Sequence, residues 1–186
     1  MTVTLANYGA TLVSLQVPTP SGLPAELSLG FDTVEEYQVH PFCFGSTIGR
    51  VANRISRGKF QFQGRSFQLA CNENELNHIH GGNNGLDKVI WLTQAFQDYD
   101  SKGIVFSYHS PSGKEGYPGN LDIKVTYTLT HHNALKIYYF ATTDQSWYVP
   151  TIFPFRVYGI LALEELIWGF LTAYTAIIVY EHFLDK

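Results

Sequence analysis

Strict alternation of apolar and polar residues is the feature that most constrains the fold of this chain. Residues 59–63 alternate at every position, Gly64-Arg65 supplies a turn, and residues 66–69 alternate again. Successive side chains of a strand point to opposite faces, so the pattern predicts a β-hairpin with its phenylalanines towards the core and its glutamines outwards. Polar, glycine-rich segments flank the hairpin at 45–55 and 77–91. Loops held by a rigid sheet commonly carry binding groups, so we expect the functional residues there.

The same period of two recurs along most of the chain. One short helical turn is expected at Asp32–Tyr37, opened by a capping box, and no other helical period occurs up to Asp144. The remaining predicted strands are Thr2–Asn7, Thr11–Val17, Glu26–Phe31, Val89–Gln97, Gly103–Ser110, Leu121–Thr130 and Leu135–Thr143. The predicted fold is therefore mainly β, a sandwich of antiparallel sheets.

The character of the chain changes near Gln145. We expect one domain at 1–144 and an apolar tail at 145–186, in which Leu161–Leu166 has a helical pattern. The 15 residues of Leu166–Tyr180 carry no charge, whereas a membrane-spanning helix needs about 20 apolar residues. The favoured interpretation is an apolar helix or strand pair packed on the sheet. Membrane association of 157–180 is the less favoured alternative.

Charge and cysteine content restrict the class of protein. The net charge is −4 and the sequence has no basic run, which argues against a nucleic-acid partner. Cys43 and Cys71 form no Cys-x-x-Cys pair, and the first residues lack the pattern of a secretion signal. We therefore expect a cytoplasmic protein with two reduced thiols, although a single disulfide stays open.

Two residues in the glycine-rich segments are candidate ligand contacts. Arg54 can donate hydrogen bonds to adjacent hydroxyl groups through its planar fork, or it can be a structural arginine paired with a loop carboxylate. His80 precedes Gly81-Gly82, where the backbone allows a ligand to approach, but it can equally be an ordinary polar loop residue. His78 and His80 have no third metal ligand at a standard spacing, so no metal is expected.

Other residues are weaker candidates for the chemistry. Asp87 and Lys88 could form an acid–base pair, but a surface ion pair is the favoured interpretation. Glu115 lies in a glycine-rich loop and is a weak candidate for a catalytic base. Trp91 and Tyr117 could offer stacking faces to a ring-shaped ligand, although Trp91 is expected in the core.

Several segments carry recognisable residue patterns in a fixed order. They are Gly-Arg-Val-Ala-Asn-Arg-Ile at 49–55, Gly-Lys-Phe at 58–60, Asn-x-x-x-x-x-His-Gly-Gly at 74–82 and Gly-Leu-Asp-Lys-Val-Ile-Trp at 85–91, with 7–15 and 29–32 upstream and 115–121 and 125–129 downstream. Over about residues 2–144 the chain resembles the aldose 1-epimerase family, or galactose mutarotases. Many motifs in the right order make the resemblance specific.

The resemblance implies both a fold and a function. It implies a large β-sandwich of the galactose-mutarotase type with sugars bound in an open cleft. It also implies a role in hexose metabolism, interconverting the α and β anomers of aldohexoses such as galactose and glucose without a metal or an organic cofactor. By the same resemblance, Asn53, Arg54 and His80 contact sugar hydroxyls, and the partner is a small-molecule aldohexose.

Two departures from the family pattern concern catalysis. The family's general acid is a histidine in an Asn-His-Ser/Thr-Tyr-Phe-Asn-Leu motif shortly after the strand that matches Leu135–Thr143, and its base is a glutamate near the end of a longer chain. The residues after Asp144 fit neither motif. We therefore expect a truncated, incomplete member with a divergent tail, and the catalytic residues stay unassigned. The alternatives are a non-catalytic carbohydrate-binding or vestigial product and a structural fragment whose tail covers a sheet edge.

Overall fold

The computed structural model describes residues 1–144, together with the backbone of Arg156–Val157 and Leu161–Ala162. The chain divides into two units, Met1–Gln145 and Ser146–Lys186. In the second unit, the two described strands pair antiparallel. Leu161–Ala162, the first two residues of the predicted helix at Leu161–Leu166, lie in a strand, and the other predictions for the apolar tail lie outside the described residues.

The first unit is built mainly from antiparallel strands. Its one described α-helix is α1 (Val34–Val39), and three single 3-10 turns lie at Ser56–Gly58, Leu86–Lys88 and Lys114–Gly116. The strands are β1 (Thr2–Ala6), β2 (Thr11–Val17), β3 (Ala25–Glu26), β4 (Arg54–Ile55), β5 (Lys59–Phe62), β6 (Arg65–Gln68), β7 (His78–Ile79), β8 (Leu92–Gln97), β9 (Ser101–Ser110), β10 (Leu121–Thr130) and β11 (Leu135–Thr143), followed in the second unit by β12 (Arg156–Val157) and β13 (Leu161–Ala162).

A four-stranded sheet with the order β11-β10-β9-β8 carries most of the core. Phe106, Val125 and Tyr127 project from it and are almost completely buried with Trp91 and Ala10. Burying an apolar side chain of this size contributes about 1.5–3 kcal/mol. The Tyr127 hydroxyl donates to the Ala10 carbonyl at 2.9 Å, which ties the sheet to the β1–β2 connection. The core therefore joins the four-stranded sheet to the segment between β1 and β2.

The hairpin predicted from strict alternation is confirmed. Strands β5 and β6 pair with Phe60 opposite Phe67, and the two rings stack at 5.2 Å. Phe62 and Leu69 are buried as expected. A period of two is sufficient here because one face of the hairpin covers apolar neighbours and the other meets water.

The segment before the glycine-rich region differs from its prediction in detail. Thr33 is the N-cap of α1 and Glu36 completes the capping box, one residue later than the pattern suggests. The strand predicted at Glu26–Phe31 shrinks to β3, because the Glu26 carboxylate accepts from the Leu15 and Ser28 amides and replaces ladder hydrogen bonds. The apolar run at 41–44 also predicts burial, but its Phe42 is 57% exposed.

The mainly β class with antiparallel sheets is confirmed for the described residues. Among them, no helix has the length and apolar character needed to cross a membrane. Both Cys43 and Cys71 are free thiols of intermediate exposure.

Candidate functional site

A two-stranded ladder brings the two glycine-rich segments together. Strands β4 and β7 pair with Arg54 opposite Ile79. Asn53 comes directly before β4 and His80 directly after β7, so both lie at the same end of this ladder, and both have a positive φ, 63° and 53° respectively. The chain therefore turns at both positions, and the sequence-predicted residues Asn53, Arg54 and His80 meet at one place.

Asn53 and His80 are joined by two reciprocal hydrogen bonds. The His80 amide donates to the Asn53 carbonyl at 3.2 Å, and the Asn53 amide donates to Nδ1 of the His80 ring at 3.1 Å. Because Nδ1 accepts a hydrogen bond, the neutral ring carries its proton on Nε2. His80 is half-buried, and its Nε2–H is a fixed donor for a ligand oxygen.

Arg54 forms a bidentate ion pair with Glu73. Its Nε donates to both carboxylate oxygens, at 2.9 and 2.8 Å, and its Nη2 donates to Oε1 at 2.5 Å. The Arg54 side chain is 56% exposed and that of Glu73 only 20%. The hydrogen bonds from Arg54 lower the pKa of Glu73, and the same bonds raise the pKa of Arg54. The sequence leaves open an arginine paired with a loop carboxylate, and Glu73 is that carboxylate.

The turn that carries Glu73 is fixed by its own hydrogen bonds. The Glu73 amide donates to the Asn77 carbonyl at 3.0 Å, and the Asn77 amide donates back to Glu73 O at 3.1 Å. The Asn77 side chain donates to Glu73 Oε2 at 3.2 Å and accepts from the Arg57 amide. Glu73 was not predicted from the sequence. The sequence feature that could have identified Glu73 is its carboxylate, which lies in the polar stretch between the hairpin and His80.

His78 belongs to the core and not to the site. It is fully buried, with Nδ1 against the Ala70 carbonyl at 2.7 Å and Nε2 against the Tyr117 hydroxyl at 2.6 Å. A backbone carbonyl can only accept, so Nδ1–H donates to Ala70, and in the neutral ring Nε2 accepts from the Tyr117 hydroxyl. His78 and His80 therefore do not share a face, because the positive φ of His80 ends the strand. No cluster of three potential metal ligands occurs among the described residues.

The Arg50 side chain holds the loop at residues 110–119. Its guanidinium donates to five neutral oxygens at 2.8–3.1 Å, namely Ser110 Oγ and the carbonyls of Ser110, Pro111, Pro118 and Gly119. Burial lowers the pKa of Arg50. Since these contacts use the whole fork, Arg50 is a structural arginine.

The weaker candidates for an acid or a base already have partners. The two oxygens of Glu115 accept from the amides of Asn83 and Asn84 at 3.0 and 2.9 Å. Asp87 is 5% exposed and pairs with Lys88 at 3.1 Å, so the ion pair exists but its carboxylate is buried. The buried Tyr117 and Trp91 offer no face for stacking. This corrects the stacking interpretation of Tyr117 and confirms Trp91 as a core residue.

Comparison with known proteins identifies the family. The model of the aldose 1-epimerase family matches residues 1–155. Galactose mutarotase of Sus scrofa is 45% identical over 128 residues, which are 68% of this chain and 36% of that protein. Aldose 1-epimerase of Escherichia coli is 37% identical over 145 residues, 78% of this chain and 41% of that protein.

Solved structures agree with this assignment. The GalM/aldose epimerase homologue from C. elegans superposes with a TM-score of 0.68 at 37% identity, covering 76% of this chain and 42% of that one. Galactose 1-epimerase from Lactobacillus acidophilus gives a TM-score of 0.67 at 31% identity, covering 77% and 41%. The chain thus spans about two fifths of the length of the relatives it matches. It belongs to the aldose 1-epimerase family.

Proposed function

We propose that this chain provides the sugar-recognition part of an aldose 1-epimerase, whose activity is the interconversion of α and β anomers of aldohexoses such as galactose and glucose. The observation that supports this is the junction of Asn53, Arg54 and His80 at one end of the β4–β7 ladder. Membership of the family supplies the reaction class.

The donors at this junction match the chemistry of a sugar. Arg54 offers a planar fork that keeps its charge, and such a fork can donate to two neighbouring hydroxyl oxygens. His80 offers Nε2–H in a fixed direction because its Nδ1 is engaged by Asn53. The exposed Asn53 side chain adds an amide that can both donate and accept. We assign Asn53, Arg54 and His80 to substrate binding.

Anomer exchange needs an acid and a base on either side of the sugar. A base takes the proton from O1 while an acid donates one to O5, so the C1–O5 bond breaks and an open-chain aldehyde forms. After rotation about C1–C2, O5 attacks the other face of C1 and the two proton transfers run in reverse. The described residues contribute binding and orientation, and we assign no catalytic residue among them. No step in this scheme uses a metal or an organic cofactor.

A second candidate function is sugar binding without anomer exchange. The observation that favours it is that Glu115 and Asp87 are already committed to loop amides and to an ion pair. His78 is likewise committed to Tyr117 and Ala70. Under this alternative the junction still holds an aldohexose, but the proton transfers are not accelerated.

One experiment separates the two candidates. Pure α-D-galactose is dissolved with the purified chain, and the anomeric proton signals are followed by NMR against buffer and against an Arg54→Ala variant. An exchange rate above that of buffer and lower in the variant supports the epimerase. A buffer-level rate from folded protein that still binds galactose supports the second candidate. A folded protein with neither exchange nor binding contradicts both.

We also propose a cytoplasmic protein in which a family domain at 1–144 is followed by a distinct segment at 145–186. The two free thiols are consistent with a reducing compartment. Fractionation of cells that express the tagged chain checks the location, and recovery of the chain with membranes contradicts it.

A further inference from the structure

The guanidinium of Arg54 has one edge engaged and one edge open. The Glu73 carboxylate accepts hydrogen bonds from Nε–H and from one hydrogen of Nη2. Among the described residues, the remaining contact is that of Nη1 with Asn53 Oδ1, at a long 3.4 Å. A guanidinium has five N–H donors, so one hydrogen of Nη1 and the second hydrogen of Nη2 form a second edge that Glu73 does not use.

Glu73 is itself more firmly placed than the arginine it holds. Its side chain is 20% exposed against 56% for Arg54. Asn77 binds Glu73 through both backbone groups and through its side-chain amide. The carboxylate therefore belongs to a fixed turn, whereas Arg54 is a long side chain that is free to change rotamer unless Glu73 holds it.

We propose that Glu73 is a positioning residue of the sugar site, which fixes the inner edge of Arg54 so that its outer edge meets the hydroxyls of a bound aldohexose. The inference rests on the proposed function, because it assumes that Arg54 binds the sugar. It adds that Glu73, which the sequence analysis does not identify, orders the Arg54 side chain before the sugar binds. Because the Arg54 side chain is already ordered, less conformational entropy is lost when the sugar binds.

The charge state of Glu73 suits positioning better than proton transfer. A general base works best when its pKa lies near the working pH. Hydrogen bonds from Arg54 move the pKa of Glu73 in the opposite direction, below its ordinary value. The carboxylate therefore stays ionised at neutral pH and keeps its hold on the arginine.

Replacing Glu73 by glutamine tests this role. Glutamine has one acceptor oxygen and an amide that cannot accept from Nη2, so the two-point hold on Arg54 is lost. We expect Glu73→Gln to weaken D-galactose binding about twofold to tenfold, the range for immobilising one long side chain. Glu75→Gln, at an exposed position of the same turn, is the matched control and should bind like the wild type. Glu73→Asp keeps the carboxylate and should lose less than Glu73→Gln.

A double-mutant cycle distinguishes positioning from a general structural role. If Glu73 acts through Arg54, Glu73→Gln causes no further loss in an Arg54→Ala background. The same loss in both backgrounds overturns the inference, and so does wild-type affinity in Glu73→Gln. A wild-type chain that is folded but does not bind galactose overturns the proposed function itself. Circular dichroism of every variant shows that the fold is intact.

Discussion

Two arginines four residues apart in the same motif have opposite environments. Arg50 is half-buried and directs its fork at five neutral oxygens, four of them backbone carbonyls. Arg54 is exposed and meets a single carboxylate with one edge only. These five contacts leave Arg50 no donor for a ligand, whereas Arg54 has N–H donors that Glu73 does not use. The number of N–H donors left without a protein partner, and not the residue type, therefore separates the structural Arg50 from Arg54, the arginine proposed to bind the sugar.

His78 and His80 differ in the same way as the two arginines. Both ring nitrogens of His78 are engaged inside the core, by Ala70 and by Tyr117. His80 uses only Nδ1, and a positive φ turns it away from the strand. Each glycine-rich segment thus supplies one residue that holds the scaffold and one that we propose contacts the sugar. Substitutions of the first kind should change stability, and those of the second kind should change affinity.

The largest effect on stability is expected at Arg50. Arg50→Ala removes charge-assisted hydrogen bonds to the 110–119 loop and should lower the free energy of unfolding by about 3 kcal/mol, measured by urea denaturation. Arg50→Lys keeps the charge without the fork and should lose less. The affinity of the folded fraction for galactose should stay unchanged. An Arg50→Ala variant as stable as the wild type would remove the contrast between the two arginines.

Tyr117→Phe should have the next largest effect. It removes the hydroxyl that donates to His78 and leaves the buried Nε2 without a partner, which should lower the free energy of unfolding by about 1–2 kcal/mol. The matched variant, His80→Ala, should weaken galactose binding and leave the urea midpoint close to that of the wild type. A larger stability loss in His80→Ala than in Tyr117→Phe contradicts the assignment.

The sequence predicts the parts of this molecule that depend on local pattern. The hairpin at Lys59–Gln68 and the long strands β10 and β11 follow from alternation, because neighbouring side chains decide which face is buried. The motif around Arg54 and His80 identifies the candidate site through the family resemblance. Local pattern cannot find Glu73, because its partner lies 19 residues away and meets it only after β4 and β7 pair.

The exposure of Phe42 is a second property that local sequence pattern does not predict. An apolar run predicts burial, but burial depends on which other segment covers the run, and Phe42 stays 57% exposed. Likewise, spacing alone places His78 and His80 on one face of a strand. The backbone at His80 departs from strand geometry; the following Gly81-Gly82 indicates a turn but does not show that it begins at residue 80.

Glu26 offers a smaller test in a region remote in sequence from the arginines. Hydrogen bonds from Ser14 and Ser28, followed by backbone amides, lower its pKa to about 2. A lowered carboxylate pKa stabilises the fold above the unfolded value of about 4.5, and this contribution disappears as pH falls towards 2. We expect Glu26→Gln to be less stable than the wild type at pH 7, with a difference that shrinks below about pH 4.5. Urea denaturation at several pH values measures it, and a constant difference contradicts the assignment.

The most direct test of the central claim is a galactose titration of Arg54→Ala, followed by NMR chemical shifts. Arg65→Ala, an arginine exposed on the hairpin, is the control. Loss of hydrogen bonds to a charged donor should weaken binding about tenfold to a hundredfold, while the urea midpoint stays near that of the wild type. Arg65→Ala should bind like the wild type. Equal affinity for galactose in Arg54→Ala and the wild type would contradict the claim that this arginine faces the sugar.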